Sequence, residues 1–322
     1  MAAPSVLRFG GPRDRAGRDG TGRPEARQHN RFFYMLLALP GIIWLTVLFV
    51  VPFYDVLAIA GGRLDFLTGS PVAVYNPLNW SHANLVQTWD NIFGATAFQL
   101  PIIWRTIWYT AVASALCLLI GYPAAYFVAR FAGRRKALFL VLLIAPFWIS
   151  YMMRMLAWIG LLQTTGYLNK FLGAIGLPSD INWLGGHWYT VILGLVYGYI
   201  PYIILVLYAG LDRIDSSLLE AGRDLGLSRS RTFLKVTLPL SRQPILTGML
   251  ITVLPMLGDY YTNQLLSGTP GTAMLGNIIQ NQLGTNGFQG QGAVLSLLVL
   301  AVLVIPMIYY VRETARSARE SS

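Results

Sequence analysis

Six runs of about 20 apolar residues constrain this chain more than any other feature. They cover 33–51, 107–128, 138–162, 188–208, 245–266 and 293–311. About 20 such residues in a helix cross a bilayer, so the sequence predicts an all-α integral membrane protein of six transmembrane helices. A soluble protein of 322 residues would need more surface charge than the 12% present beside 55% hydrophobic residues. Pro40, Pro123, Pro146, Pro201, Pro255 and Pro306 fall within the runs. Helices in lipid tolerate proline when neighbours satisfy the freed backbone groups.

The net charge of +10 would suggest nucleic acid in a soluble protein, but its distribution argues against that. Of the 24 Lys and Arg, 20 fall in four places: before Phe32, between the second and third runs, between the fourth and fifth, and after Val311. The intervening loops hold little beyond Arg63, Arg105 and Lys170. Alternation of this kind is the positive-inside signature. It places both termini in the cytoplasm and makes the number of spans even.

Residues 1–31 are rich in Arg, Gly and Pro without apolar periodicity, and read as a disordered basic tail. The six-helix domain spans 32–312, and 313–322 form a short cytoplasmic tail. The first run is longer than a signal peptide's apolar core and reads as an uncleaved span. The single cysteine, Cys117, lies inside the second run and excludes a disulfide framework. His29, His82 and His187 are scattered and suggest no metal site.

The loop 211–242 carries the most information. Ser217 and Glu220 have capping-box spacing for a helix start, and Gly226 can take the left-handed conformation that ends it. Ser228 can cap a second short helix, which Pro239 closes. Leu218, Ala221, Gly222 and Leu225 share one face. A DNA-reading helix–turn–helix has a comparable local pattern, but apolar spans abut this one on both sides. A merely solvated basic loop would need neither ordered helices nor small residues on one face.

This segment resembles the EAA loop of binding-protein-dependent ABC permeases: Glu-Ala-Ala, three residues, Gly, nine residues, Ile-x-Leu-Pro. Glu220, Ala221, Gly226, Leu238 and Pro239 match at that spacing, with Gly222 in place of the second Ala and Val236 in place of Ile. Gly121-Tyr122-Pro123-Ala124-Ala125-Tyr126, Ala145-Pro146-Phe147-Trp148-Ile149-Ser150 with Arg154 and Trp158, and Leu257-Gly258-Asp259-Tyr260 resemble the first permease subunit of the spermidine/putrescine type. The resemblance runs from Phe33 to Val311. It implies a type I importer permease arrangement in a bacterial cytoplasmic (inner) membrane. It further implies a second homologous permease, two ATP-binding subunits, an extracytoplasmic solute-binding protein and a small cationic solute. Glu220, Ala221, Gly222, Asp224, Gly226 and Pro239 would then couple to the ATPase. The chain lacks a G-x-x-x-x-G-K-[ST] phosphate loop. No cofactor is expected in it, ATP and Mg being bound by the partner, and no enzyme activity of its own.

Charges in mid-membrane are costly, so Arg154 in the third run and Asp259 in the fifth need reasons. Counting at about 1.5 Å per residue puts both in the outer half of the membrane. Two readings stand. Arg154 and Asp259 pair and hold spans together, or Asp259 attracts ammonium groups while Tyr151, Trp158 and Tyr260 supply cation–π faces. Amino-acid-like compounds, phosphonates and ferric complexes are competing solutes. A self-sufficient secondary transporter would show matching repeats, of which there is no sign. A membrane-anchored enzyme would need a catalytic constellation, which the sequence lacks.

Overall fold

The computed structural model describes residues 31–65, 71–95 and 97–320. Apart from Arg31, the expected basic tail lies outside them. The chain divides into two compact units, Met1–Pro52 and Phe53–Ser322. The described part of the first is α1 (Arg31–Leu45) and a π-helical turn over Thr46–Val50, where the Thr46 hydroxyl donates to the Ile42 carbonyl at 2.8 Å.

The helices that follow are α2 (Val51–Ala60), α3 (Ala83–Phe93), α4 (Leu100–Arg130), α5 (Lys136–Ile144), α6 (Tyr151–Leu162), α7 (Tyr167–Ala174) and α8 (Trp188–Asp212). After them come α9 (Ser216–Asp224), α10 (Arg229–Thr232), α11 (Leu238–Leu240), α12 (Arg242–Leu257), α13 (Tyr261–Leu266), α14 (Leu275–Gly284) and α15 (Gln289–Glu320). A two-residue antiparallel ladder, Arg63–Leu64 with Pro71–Val72, is the one sheet among the described residues.

The core of the second unit is the crossing of α4 and α8. Tyr109, Ala113, Cys117, Ala125 and Ala129 meet Val191, Leu195, Ile203 and Leu207, all buried. The small residues on α4 let the two backbones approach, because lipid supplies no hydrophobic drive between helices and close packing must do so. Gly121 is part of this approach: a Cβ there would stand 3.0 Å from Ile203 Cγ2. Cys117 is buried within this contact. Among the described residues no His, Cys, Asp or Glu cluster could hold a metal.

Four helices are long and apolar enough to cross a membrane: Tyr34–Ala60, Leu100–Arg130, Trp188–Asp212 and Gln289–Arg312. The other two apolar runs are not straight spans, which corrects the sequence reading. Gly133–Trp148 and Tyr151–Ala174 meet at 88°, and Arg229–Leu240 and Arg242–Leu257 meet at 61°. In the first pair, Pro146 lies in a 3₁₀ turn (Ala145–Trp148), and Ile149 and Ser150 are extended before α6 begins. The second pair bends at Ser241, ahead of the fifth run; within that run the helix ends at Leu257, two residues past Pro255. Gly258, Asp259 and Tyr260 are not helical, and α13 starts anew at Tyr261. The Asp259 carboxylate accepts the Thr262 amide at 2.9 Å. A short polar side chain that bonds nearby backbone in this way favours a fresh helix start over continuation. Counting about 1.5 Å per residue therefore does not give the depth of Arg154 or Asp259, since Arg154 lies beyond a break and Asp259 within one.

Candidate solute site and coupling loop

Asp259 is 7% exposed and saturated by neutral donors. Its Oδ2 accepts the hydroxyls of Thr262 at 2.6 Å, Tyr151 at 3.1 Å and Tyr199 at 3.1 Å, and its Oδ1 accepts the Thr262 amide. These groups replace the water that a carboxylate loses on burial but leave its negative charge in place. The break positions the carboxylate, α6 brings Tyr151 and α8 brings Tyr199. Gly198 permits the approach of α6, because a Cβ there would lie 2.8 Å from the Tyr151 ring.

A cavity of about 570 Å³ opens beside the carboxylate, lined by Tyr151, Tyr199, Tyr202, Asp259, Tyr260 and Tyr261 with Gly198, Ile251, Pro255 and Gly258. Tyr260 and Tyr261 stack at 4.1 Å, and Tyr199 lies 6.2 Å from Tyr202. An anionic centre walled by aromatic faces is suited to an organic ammonium.

Of the residues singled out in the sequence, Tyr151, Asp259 and Tyr260 come together here. Trp158 does not. Its ring meets Tyr197 edge-on at 5.2 Å, in a cluster with Met155, Leu162 and Leu266. Arg154 lines a neighbouring cavity and makes no ion pair with Asp259. The one ion pair among the described residues joins Lys136 and Asp212. Tyr151 stands between Arg154 and Asp259, its ring 5.3 Å from the guanidinium and its hydroxyl on the carboxylate. Tyr199, Tyr202 and Tyr261 escaped the sequence reading. The available signal was a set of hydroxyl-bearing rings, Tyr197, Tyr199 and Tyr202, inside an otherwise apolar run.

At the other end of α8 the loop folds as two short helical arms. The cap of α9 is Asp215 and not Ser217: the Asp215 carboxylate accepts the Ser217 amide at 3.0 Å. That bond favours the charged form and holds the Asp215 carboxyl below its ordinary range. Gly226 has φ +82° and ends the arm, with its amide donating to Arg223 and that of Leu227 to Gly222. Ser228 caps α10 through the Arg231 amide at 3.4 Å. Pro239 does not close the second arm. It sits at the start of α11, where its missing N–H costs nothing, and the helical path runs on to the turn at Ser241.

Leu219 and Gly222 form the buried face of α9, with Gly222 against Val236, Thr232 and Leu227. Glu220, Ala221, Asp224 and Gly226 are exposed, and Leu225 is 85% exposed. The second arm is tied to α4 by Phe233, whose ring meets Tyr122 at 5.8 Å and Tyr126 at 5.4 Å, edge-on to both. Tyr122 in turn shares a buried hydrogen bond of 2.9 Å with Ser241.

Residues 118–312, more than half of the chain, match the family described as "Binding-protein-dependent transport system inner membrane component". The chain belongs to this family. The matched region contains both the loop and the Asp259 site. The "Spermidine/putrescine transport system permease protein PotB" of Escherichia coli (strain K12) is 33% identical over 239 residues, 72% of this chain and 84% of that protein. Its namesake from Haemophilus influenzae is 31% identical over 83% of this chain and 89% of that one. Among solved structures, a chain of the bacterial alginate ABC transporter, in complex with an alginate pentasaccharide-bound periplasmic protein, superposes with a TM-score of 0.65. It covers 89% of this chain and 94% of that one at 20% identity, a likeness of fold alone. This family member is thus a multi-pass membrane permease of an ABC importer, as its sequence led one to expect.

Proposed function

We propose that this permease carries a polyamine such as spermidine or putrescine inward across a bacterial cytoplasmic membrane. It would do so as half of a pathway completed by a second, homologous permease. The observation that carries this reading is the uncompensated Asp259 carboxylate among tyrosine rings, in a chain whose relatives are named as spermidine/putrescine permeases. In this reading both bent helix pairs count as spans, giving six with both termini cytoplasmic. An extracytoplasmic binding protein delivers the solute, and two cytoplasmic subunits bind ATP and Mg and hydrolyse the nucleotide.

The loop is the mechanical link. Glu220, Ala221, Asp224 and Gly226 present the outer face of α9 to the ATPase, and the exposed Leu225 adds an apolar contact there. Gly222 keeps α9 seated on the second arm. Pro239, at the start of α11, orients that arm toward the bend at Ser241. Movement of α9 passes through Phe233 to Tyr122 and Tyr126 on α4, and through Ser241 to α12, whose far end carries the break at Gly258–Tyr260. The two caps and the buried face make the loop a stiff lever. A floppy one would absorb the stroke.

The test is to purify the tagged chain from its native membrane in mild detergent and identify what accompanies it by mass spectrometry. The expected companions are a P-loop ATPase and a second permease of the same family, in a complex whose ATPase activity rises with polyamine-loaded binding protein. Recovery of the chain alone, under conditions that preserve other membrane complexes, would refute the assembly. A complex that ignores polyamines would refute the solute.

A further inference from the structure

Arg154 is 6% exposed, and among the described residues neither its Nε nor its Nη1 has a hydrogen-bond acceptor. Its guanidinium lies 4.3 Å from the Phe147 centroid and 5.3 Å from that of Tyr151. Ring faces offset part of the charge's desolvation, but they accept nothing from the N–H donors at the guanidinium edge. An arginine cannot relieve the cost by losing its proton. A buried, unpaired cation is among the costlier features a protein can hold, and more so inside a membrane.

The guanidinium borders a cavity of about 420 Å³, walled by Phe147, Trp148, Tyr151, Pro201 and Tyr202, in which it is the sole charged lining group. The 88° break makes this space, because Ile149 and Ser150 turn the chain away before α6 carries Arg154 back beside it. Asp259 cannot serve as counter-charge: Tyr151 stands between them, and the carboxylate is already occupied by Tyr151, Tyr199 and Thr262. The two cavities share Tyr151 and Tyr202 as common walls.

We propose that the Arg154 cavity is an anion-accepting subsite that takes a small monovalent anionic group, of carboxylate or halide type, against the guanidinium edge. Guanidinium donors bind such groups with short, charge-assisted hydrogen bonds. The inference goes beyond the polyamine reading and does not depend on what Asp259 holds. The anion can be a free ion resident in the cavity or a carboxylate carried by a solute, and the test separates the two.

The chain with its co-purifying partners is placed in nanodiscs, and its unfolding midpoint is followed at fixed ionic strength. In one arm a bulky sulfonate is exchanged stepwise for chloride or acetate. In the other, 4-aminobutanoate is compared with 1,4-diaminobutane. The wild type should show a saturable rise of about 2–4 °C, lost in Arg154→Gln and kept with weaker saturation in Arg154→Lys. Response to chloride and acetate identifies a free anion. Response to 4-aminobutanoate alone identifies a solute-borne carboxylate. A wild type that answers neither arm, or an Arg154→Gln complex that answers as the wild type does, overturns the proposal. Should Arg154→Gln fail to assemble, an Arg154→Lys response equal to wild type in amplitude and saturation also overturns it.

Discussion

The Tyr199 hydroxyl donates to Oδ2 of Asp259 across 3.1 Å, joining the middle of α8 to the break that follows α12. The helix crossing that forms the core thereby also fixes the one charge in the candidate solute cavity. Replacing the carboxylate tests its charge with little change of shape. Asp259→Asn keeps the Thr262 amide contact and removes the charge. A lost charge-assisted contact is worth about 1.5–3 kcal/mol, so polyamine-stimulated ATPase should need roughly 10–100-fold more solute while the complex still assembles. Tyr199→Phe keeps the charge and removes one donor, and should cost less.

Gly222 offers a test of the lever. A Cβ at this position would meet Val236 Cγ2 at 3.5 Å and Thr232 Cγ2 at 3.6 Å, ordinary van der Waals separations. Alanine therefore fits, and it favours a helix over glycine by up to about 1 kcal/mol. Gly222→Ala should preserve transport and slow hydrogen exchange in α9. Gly222→Leu should separate the two arms and lower transport with the ATPase less firmly bound.

Gly226 constrains the same loop through its backbone. At φ +82° a β-branched side chain is strained by about 1–2 kcal/mol. Gly226→Val should fray the end of α9, and Gly226→Trp should also obstruct the exposed face. Transport by either variant at wild-type rate, with the ATPase co-purifying undiminished, would remove this turn from the coupling contact.

The cap at Asp215 sets a pH dependence of definite sign. Its carboxyl lies below the ordinary 3.8 because the ionised form accepts the Ser217 amide. The cap is therefore complete above that value and weakens only as pH falls through the lowered one. Amide protection at the start of α9 should be flat from about pH 5 to pH 8, and Asp215→Ala should reduce it across that whole window. Loss of protection in the wild type near neutral pH would contradict the assignment.

Two basic residues flanking the turn between α4 and α5 should behave differently. The Lys136–Asp212 pair is about one-third exposed on each side, and such pairs contribute about 0–1 kcal/mol. Lys136→Ala should shift the unfolding midpoint little. Arg130 donates to the carbonyls of Leu211 at 3.0 Å and Ile214 at 2.9 Å, satisfying the end of α8. Arg130→Ala removes the side-chain donor of the Ile214 carbonyl, while Leu211 keeps the Ile214 amide, and should cost about 1–3 kcal/mol.

The apolar runs around α4, α8 and α15 were legible because burial in lipid demands an unbroken hydrophobic stretch and little else. The breaks were not. Hydropathy averages over Ile149-Ser150 and Gly258-Asp259 without registering that an extended pair or a side chain bonded to nearby backbone ends a helix. Asp215 was passed over for Ser217 because Ser217 has Glu220 at capping-box spacing while the true cap, two residues earlier, has Leu218 there, and only the bond to the Ser217 amide decides between them. Gly226 and Ser228 were legible because each does a local job that few residues can do. Tyr199 and Tyr202 were hidden by their run: a tyrosine in an apolar helix reads as lipid-facing until a neighbouring chain segment brings it a carboxylate.

The right-angled third run also bears on how the molecule is made. Its non-helical residues, Ile149 and Ser150, interrupt the helical hydrogen bonding by which a chain satisfies its backbone in lipid, and its two halves rest against α8. Yet α8 lies further along the chain and leaves the ribosome later. The segment 138–162 can enter the bilayer on its hydrophobicity alone, but the contacts that both its halves make with α8 wait for a helix not yet synthesised. Order of synthesis and order of folding therefore part company at this bend. A nascent chain stopped before Trp188 would hold this bent segment without the helix that both its halves touch.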